Sequence, residues 1–388
     1  MIVTPISPAL LRGFEDLERT PRGVLPHRLP GWVRAGLADP QLLFAEAQPA
    51  GVRVVGVTAA RRLELVTHPT HTTYRGIARP RGSVDLVIDG RLVASDTLTG
   101  GDAVEIDLST GASHRVPGPP HVSAFDGLPA GEKRVELWLP HNESVQLLDL
   151  RGDAPVAPAE SPGPVWVHHG SSISQGSNAT TPARTWPSIA ARQAGVELRN
   201  LGFGGSALVD PFLARVIRDT AADFISLKLG INVVNSDAMR RRAFVPAVHG
   251  FLDTIRDGHP ATPLLLVSPV FCGIHEDTPG PGMIEPDSLR TGRLRFAASG
   301  SPGDRALGRL TLTVIRDALA EIVESRHDPA LHYLDGRTLY GAADADELPL
   351  PDALHPDTAS HERIARRFAG YAFAGDGPFA GARPPARS

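Results

Sequence analysis

The sequence predicts two units: an antiparallel, jelly-roll-like β-sandwich over residues 1–150, then a three-layer α/β/α unit with a parallel sheet over 165–388. Three observations predict this. The chain has 388 residues, 41% of them hydrophobic, more than a single ordinary domain of about 100–200 residues needs. Its hydrophobic pattern changes part-way from a period of two to short apolar runs alternating with longer helical segments. Between the two patterns stand Pro155, Pro158, Pro162 and Pro164. They cannot continue a helix or a central strand, so they mark 151–164 as a linker.

In chain order, the first ~45 residues are irregular and predict a partly helical arm packed on one of the units. Leu63 and Leu65 then alternate with Arg62 and Glu64, and Val135, Leu137 and Leu139 with Arg134, Glu136 and Trp138. Residues 84–88 and 91–94 flank Asp89-Gly90, a pair suited to a tight primed hairpin turn. Short strands at such spacing suggest a sandwich or jelly roll. After the linker, 165–168, 198–201, 224–229, 264–270 and 332–334 read as buried strands. Helical stretches lie between them, such as 307–323, where Leu310 and Val314 share a stripe flanked by Ile315, Leu319 and Ile322. This alternation implies a parallel sheet with helices on both faces, whose sites sit at the carboxyl ends of the strands. Residues 272–305 are rich in Gly, Pro and polar side chains with no element of their own. They are expected to form a lid over the site.

Net charge is −4 and the sequence pI is near 6.4. The positive field that a nucleic acid or anionic membrane would need is therefore missing. Cys272 is the single cysteine, which excludes an intrachain disulfide and a cage of several thiolates around zinc. Residues 1–12 lack the basic and apolar regions of a secretion signal, and no run reaches the ~18 apolar residues of a membrane span. The expectation is a soluble, cytoplasmic protein, in which the sequon at Asn142 carries no glycan. Lysine occurs only at 133 and 228 against 37 arginines. That skew is a coding bias, and it leaves the non-arginine polar residues as the informative ones.

Each polar cluster follows a predicted strand: residues 170–176 (GSSISQG), 200–205 (NLGFGG), 230–232 (GIN) and 352–356 (DALHP). Serine needs a base to take its proton, and an imidazole base needs a carboxylate to hold its tautomer. His355 and Asp352 meet that need for Ser172. Acyl transfer also needs donors where the oxyanion develops. The backbone amides of Ser172 and Gly205 and the side-chain amide of Asn232 are the candidates, with Asn200 bracing the loop that begins at Gly202. A glycine at 205 lets backbone approach substrate without a Cβ.

These four blocks, in this order over about 185 residues, resemble the signature blocks of the SGNH (GDSL) hydrolase superfamily. Each alone is weak, because short Gly- and Ser-containing strings recur by chance. The resemblance implies a flavodoxin-like fold, Ser172 as nucleophile, Asp352 and His355 completing the triad, and Ser172, Gly205 and Asn232 as oxyanion donors. No cofactor and no metal are expected. Ser171 stands where the family has Asp, and Val233 where Asp often follows the Asn, which bears on subfamily and substrate. The layout, a β-sandwich ahead of such a unit, resembles a subgroup that includes a salicylyl acyltransferase of tetracycline biosynthesis. That implies an acyl-CoA thioester donor, such as salicylyl-CoA, and a hydroxylated small-molecule acceptor such as a polyketide.

Competing readings remain for several residues. Ser172 doubles as a plausible helix N-cap and Asn232 as a turn cap. His361 reads as the first turn of the last helix, and His168 and His169 as strand-end packing. Arg240, Arg241 and Arg242 read as a solvated helix face rather than a phosphate site. Residues 202–207 match a dinucleotide fingerprint, but the required acid at the end of the next strand is missing, since Asp223 stands at its start. Three functional classes follow: an acyltransferase working through an acyl-Ser172 intermediate, an esterase using the same residues on substrates such as O-acetylated sugars, and a non-catalytic carbohydrate-binding protein. The intact Ser, His and Asp argue against the last.

Overall fold

The computed structural model of the chain describes residues 1–77, 79–108, 110–160 and 163–380. Ser161 and Pro162 of the expected linker, and 381–388 of the expected second unit, lie outside the described residues. Among the described residues, the N-terminal unit is two facing sheets. A six-stranded sheet runs in the order Val156–Pro158, Arg53–Thr58, Lys133–Trp138, Ser83–Ile88, Arg91–Thr97, with Leu11–Arg12 also paired to Arg53–Thr58. An eight-stranded sheet is built around Leu63–Tyr74 and Ser144–Gly152. Val54, Val84, Leu86, Val135 and Leu137 from the first sheet meet Leu63, Leu65, Val145, Leu147 and Leu150 from the second in one buried core. Asp89 and Gly90 both adopt positive φ, 47° and 80°, as the expected primed turn requires.

Three details differ from the sequence expectation. The arm is not merely helical: Ile2–Thr4, Leu11–Arg12, Asp16–Arg19 and Val24–His27 are strands of the two sheets, and the short helices Gly31–Arg34 and Pro40–Glu46 follow them. Strands of two to four residues are too brief for a period-two signal. The linker begins late, because Val156–Pro158 pairs antiparallel with Arg53–Thr58 at the edge of its sheet, where a proline costs no central ladder bond. The sandwich is also not wholly antiparallel, since Leu63–Tyr74 pairs parallel with Asp102–Ile106.

The second unit is a five-stranded parallel sheet of β1 (Val165–Gly170), β2 (Glu197–Gly202), β3 (Phe224–Lys228), β4 (Leu264–Val267) and β5 (Leu331–Leu334), in the order β2-β1-β3-β4-β5. This is the flavodoxin-like order, in which chain direction across the sheet reverses between β1 and β3 and leaves a crevice at their carboxyl ends. Helices Pro211–Asp219, Arg241–Gly258 and Leu312–Arg326 cover one face. Helices Trp186–Ala194 and Thr358–Ala372 cover the other. The helix expected over 307–323 starts at Leu312, after a 3-10 turn at Pro302–Leu307, and buries Leu312, Ile315, Leu319 and Ile322.

The N-terminal unit adds residues to both apolar clusters of the α/β unit. Trp138 and Val87 of the six-stranded sheet pack with Trp166 and Trp186, and Leu29, Val33, Leu42 and Ala45 of the arm pack with the opposite face of the parallel sheet. Strand Ser83–Ile88 is buried on both sides for this reason: Val84 and Leu86 face the sandwich core, while Val87 and Asp85 face the second unit, where Asp85 accepts from the amide of Ala183 at 2.8 Å. Buried Arg53 bridges Glu136 and Glu197 across the seam.

One buried carboxylate makes the sandwich acid-sensitive. Burial alone would raise Glu143, but His71, Arg81 and the Gly82 amide pull it down from 4.5 to about 2. A depressed carboxylate stabilises the fold fully above its unfolded value and loses that contribution as pH falls toward its folded value. Glu143→Gln should therefore cost stability at pH 6, at most about 3 kcal/mol, and lose less than wild type between pH 5 and 2.5. Thermal melts across that range check it; parallel acid limbs for the two proteins would exclude the effect.

Candidate active site

The four polar blocks meet at the carboxyl edge of the sheet. β1 ends at Gly170, and Ser171 caps a one-turn helix, Ser172–Gln175, by accepting from the Ile173 amide. This turn packs against the end of β2 so closely that a Cβ at Gly202 would lie 2.5 Å from the Gln175 nitrogen and 2.6 Å from the Ser174 carbonyl carbon. Only glycine permits that approach. Ser172 is thereby held facing the loop before the last helix, and its Oγ lies 2.9 Å from His355 Nε2.

Local backbone chemistry sets the histidine. Asp352 Oδ1 accepts from the amides of Leu354 and His355 at 3.0 and 2.7 Å, while Oδ2 lies 2.8 Å from His355 Nδ1. The Asp-x-x-His spacing lets one carboxylate close a turn with one oxygen and orient the ring with the other. The turn requires Ala353 at φ 66°, a conformation a Cβ-bearing residue adopts at a cost. Burial tends to raise Asp352, but the hydrogen bond and charge of His355 and the two amides hold it below the ordinary aspartate value. It stays an acceptor, which places the proton of the ring on Nδ1 and leaves Nε2 to face Ser172. Asn178 adds a donor to Asp352 Oδ2 at 3.1 Å.

Among the amides of residues 202–207, after β2, one donor is free. Gly202 N donates to Asn200 Oδ1, Phe203 N to the Gly170 carbonyl, Gly204 N to Gln175 Oε1, Ser206 N to the Phe203 carbonyl and Ala207 N to Asn232 Oδ1. The Gly205 amide, at φ 75°, has no acceptor among the described residues. Neither has the Ser172 amide, nor the NH2 group of Asn232, whose oxygen is taken by Ala207. Of the three only Asn232 is buried, and buried polar donors are ordinarily paired. Open donors on the strand-end loops of the same sheet edge as Ser172 are suited to an oxygen that gains charge. Asn200 braces the loop: besides receiving Gly202 N, it donates to the Ser174 carbonyl at 2.9 Å.

Other sequence candidates fall away from the crevice. His168 is buried between Ser226 Oγ and Ser174 Oγ, at 2.7 and 2.8 Å, and His169 bonds the Leu201 carbonyl at 2.7 Å. Burial lowers both well below the ordinary histidine value, His169 to about 4. His361 is likewise buried, between the Trp186 amide and the Ser177 carbonyl. Arg240 and Arg241 pair with Asp237 and Glu321 on the outside. Asp223 accepts from the Val165 amide at the start of the sheet, at the opposite end of the strands from where a nucleotide ribose would sit.

The segment 272–305 has elements after all: a hairpin of Gly282–Ile284 and Phe296–Ala298 around the helix Pro286–Thr291. Three-residue strands among glycines and prolines give no periodic signal. Its second strand reaches the site. The Phe296 amide donates to the Asp352 carbonyl at 2.9 Å, and its ring stands edge-on to His355 with centroids 5.6 Å apart. Sequence reasoning does not single out Phe296, Asn178, Gln175 or Gln41. Gln175 lies inside the first polar block and is open to notice there, whereas the others acquire meaning only from contacts distant in the chain.

With this geometry in view, the chain can be placed among known proteins. Residues 164–272 match the GDSL-like lipase/acylhydrolase family, a span holding the first three polar blocks. The family match thus falls within the α/β unit, over its first four strands. The salicylyl-acyltransferase SsfX3 from a tetracycline biosynthetic pathway is similar over 94% of both chains, at 28% identity and a TM-score of 0.77. A protein assigned as a GDSL-like lipase, from Bacteroides ovatus, is similar in fold over 95% of this chain and 96% of its own, at 20% identity and a TM-score of 0.66. A family two carbohydrate esterase from Clostridium thermocellum, in complex with cellohexaose, shares the fold over 83% of this chain and 91% of its own, at 14% identity and a TM-score of 0.54. No curated protein matches in sequence. The chain is an enzyme of the acyltransferase or esterase type, and among its described residues no helix is long and apolar enough to cross a membrane.

Two substitutions probe this geometry. Asp352→Asn should melt near wild type and lose on the order of 10³–10⁴ in kcat, because the amide favours the wrong imidazole tautomer. Asn232→Ala should cost on the order of 10²–10³ in kcat if its NH2 faces the oxyanion. Steady-state kinetics on any ester turned over by the wild type decides both; a loss under tenfold for Asn232→Ala would leave it a structural role.

Proposed function

We propose that this SGNH enzyme is a serine acyltransferase. It moves an acyl group, of the aryl type exemplified by salicylyl, from a CoA-type thioester to a hydroxyl of a small-molecule acceptor. The observation that carries this reading is the likeness to the salicylyl-acyltransferase over nearly the whole of both chains, sandwich included. The aromatic wall that Phe296 sets beside His355 supports an apolar acyl group and limits water at the base.

The proposed sequence balances through one imidazole. Ser172 Oγ attacks the thioester carbonyl carbon as His355 Nε2 takes the hydroxyl proton, and the carbonyl oxygen gathers charge facing Gly205, Asn232 and the Ser172 amide. The carbon–sulfur bond breaks, His355 returns the proton to the leaving thiolate, and acyl-Ser172 remains. The acceptor hydroxyl then loses its proton to His355 and attacks the acyl carbon, and the proton passes back to Ser172 Oγ. No cofactor or metal takes part in this proposal. Its thioester donor is a metabolite of the cytoplasm, where the reaction is accordingly placed.

Intact-protein mass spectrometry with an aryl thioester and no acceptor should add one acyl mass on a peptide holding residues 170–176, and Ser172→Ala should abolish the adduct. An adduct that persists in water and clears on adding a hydroxylated polyketide or similar alcohol supports transfer. Clearance at one rate with and without alcohol assigns the chemistry to hydrolysis. No adduct with any ester or thioester would sink the acyl-enzyme mechanism.

A further inference from the structure

The carbonyls of Asn200, Gly202 and Gly204, on the chain leading to the Gly205 amide, are tied to the N-terminal unit, and Arg28 is the centre of the tie. Arg28 is 1% exposed. Its Nη1 donates to the carbonyls of Asn200 and Gly202 at 3.1 and 2.6 Å. Its Nη2 and Nε donate to the carbonyls of Ala45 and Glu46 on the arm, and its guanidinium carbon lies 4.7 Å over the ring of Phe203. One planar fork thus joins two backbone segments, the farther of them about 170 residues along the chain. Two further ties come from the same unit. Gln41 Nε2 donates to the Gly204 carbonyl at 2.8 Å. Gln175, which receives the Gly204 amide, is itself held by Gln48 and by the His141 carbonyl.

A buried guanidinium is costly: burial lowers Arg28 to about 9, with Glu46 the charge opposing that shift. Carbonyl acceptors at both ends of the fork define an orientation for the peptide planes of Asn200 to Gly202, from which the chain turns to Gly205. Building on the acyl-transfer reading above, we propose that Arg28 is a positioning residue for the oxyanion loop. Through it the N-terminal arm, distant from the α/β unit in sequence, sets the aim of the Gly205 amide. Gln41 is the outer member of the same device.

The test uses the full-length protein and compares Arg28→Lys, Arg28→Met and Gln41→Leu with wild type. Lysine keeps the charge but replaces the planar fork with a single point of donors. Gln41 is exposed, so its replacement leaves the core intact. The readouts are the single-turnover rate of acylation by an aryl thioester, the inhibition constant of an aryl boronic acid, whose tetrahedral adduct places an oxygen at the oxyanion position, and the dissociation constant of the corresponding free aryl acid. Misplacement by ~1 Å costs on the order of 10² in rate. Arg28→Lys should lose about 10- to 100-fold in acylation and in boronate affinity, and Gln41→Leu about 3- to 10-fold, while the free acid binds within about threefold of wild type in both. Arg28→Met should lose at least as much as Arg28→Lys.

Equal proportional losses in boronate and free-acid binding would overturn the proposal, because a generally loosened fold affects both. So would wild-type acylation by Arg28→Lys, or an unfolded Arg28→Lys together with wild-type acylation by Gln41→Leu, which would give Arg28 to folding alone. A wild-type protein that takes no acyl group removes the acyl-transfer reading and this inference together, whereas an acylating wild type with unaffected variants removes the inference only.

Discussion

The hydrogen bond between Ser172 Oγ and His355 Nε2 joins residues 183 positions apart, and much of the α/β unit can be read as what that contact demands. A contact of such separation requires ordered chain between its ends to offset the entropy of closing so long a loop. Parallel strands meet the demand because every β-to-helix turn emerges at one edge. Gly202 lets the Ser172 turn sit against β2, and Ala353 accepts a left-handed conformation so that Asp352 can close its turn and hold the ring.

Beneath the crevice the protein keeps a polar layer inside an apolar interior. Trp166 Nε1 donates to Ser226 Oγ, which meets His168 Nδ1, and His168 Nε2 meets Ser174 Oγ. Ser174 belongs to the same turn as Ser172, so this chain of bonds anchors that turn from below. Burial keeps His168 neutral, which lets each ring nitrogen be donor or acceptor as the network needs. Lys228, behind the same turn, is buried with no hydrogen-bond partner for its Nζ among the described residues, and is lowered to about 8 by burial and by Arg316.

The sandwich is bound to the α/β unit by surfaces that resemble an interior more than a hinge. Tryptophans from both sides share one cluster, Arg53 pairs with carboxylates of both units, and Arg28 directs its Nη1 across the boundary. Such seams resist relative motion because opening them exposes apolar area and separates buried charges from their partners. The crevice is consequently lined from three directions: the strand-end loops, the Phe296 hairpin, and the arm.

From sequence alone, the change of hydrophobic period and the order of four polar blocks determined the two-unit plan, the parallel sheet and the placing of Ser172, Asn232, Asp352 and His355 at one edge. Those features are local, since a strand's period and a turn's residue types are written in neighbouring positions. Tertiary structure alone decided the rest. Strands as short as Leu11–Arg12 exist because a longer strand is there to pair with, the edge strand Val156–Pro158 lies where prolines suggested a linker, and the Phe296 hairpin stands on glycine- and proline-rich sequence. Arg28 shows the limit most clearly. It is one arginine among 37, and nothing beside it in the chain distinguishes it, because the carbonyls it holds on the oxyanion loop come from residues about 170 positions away that only folding brings within reach.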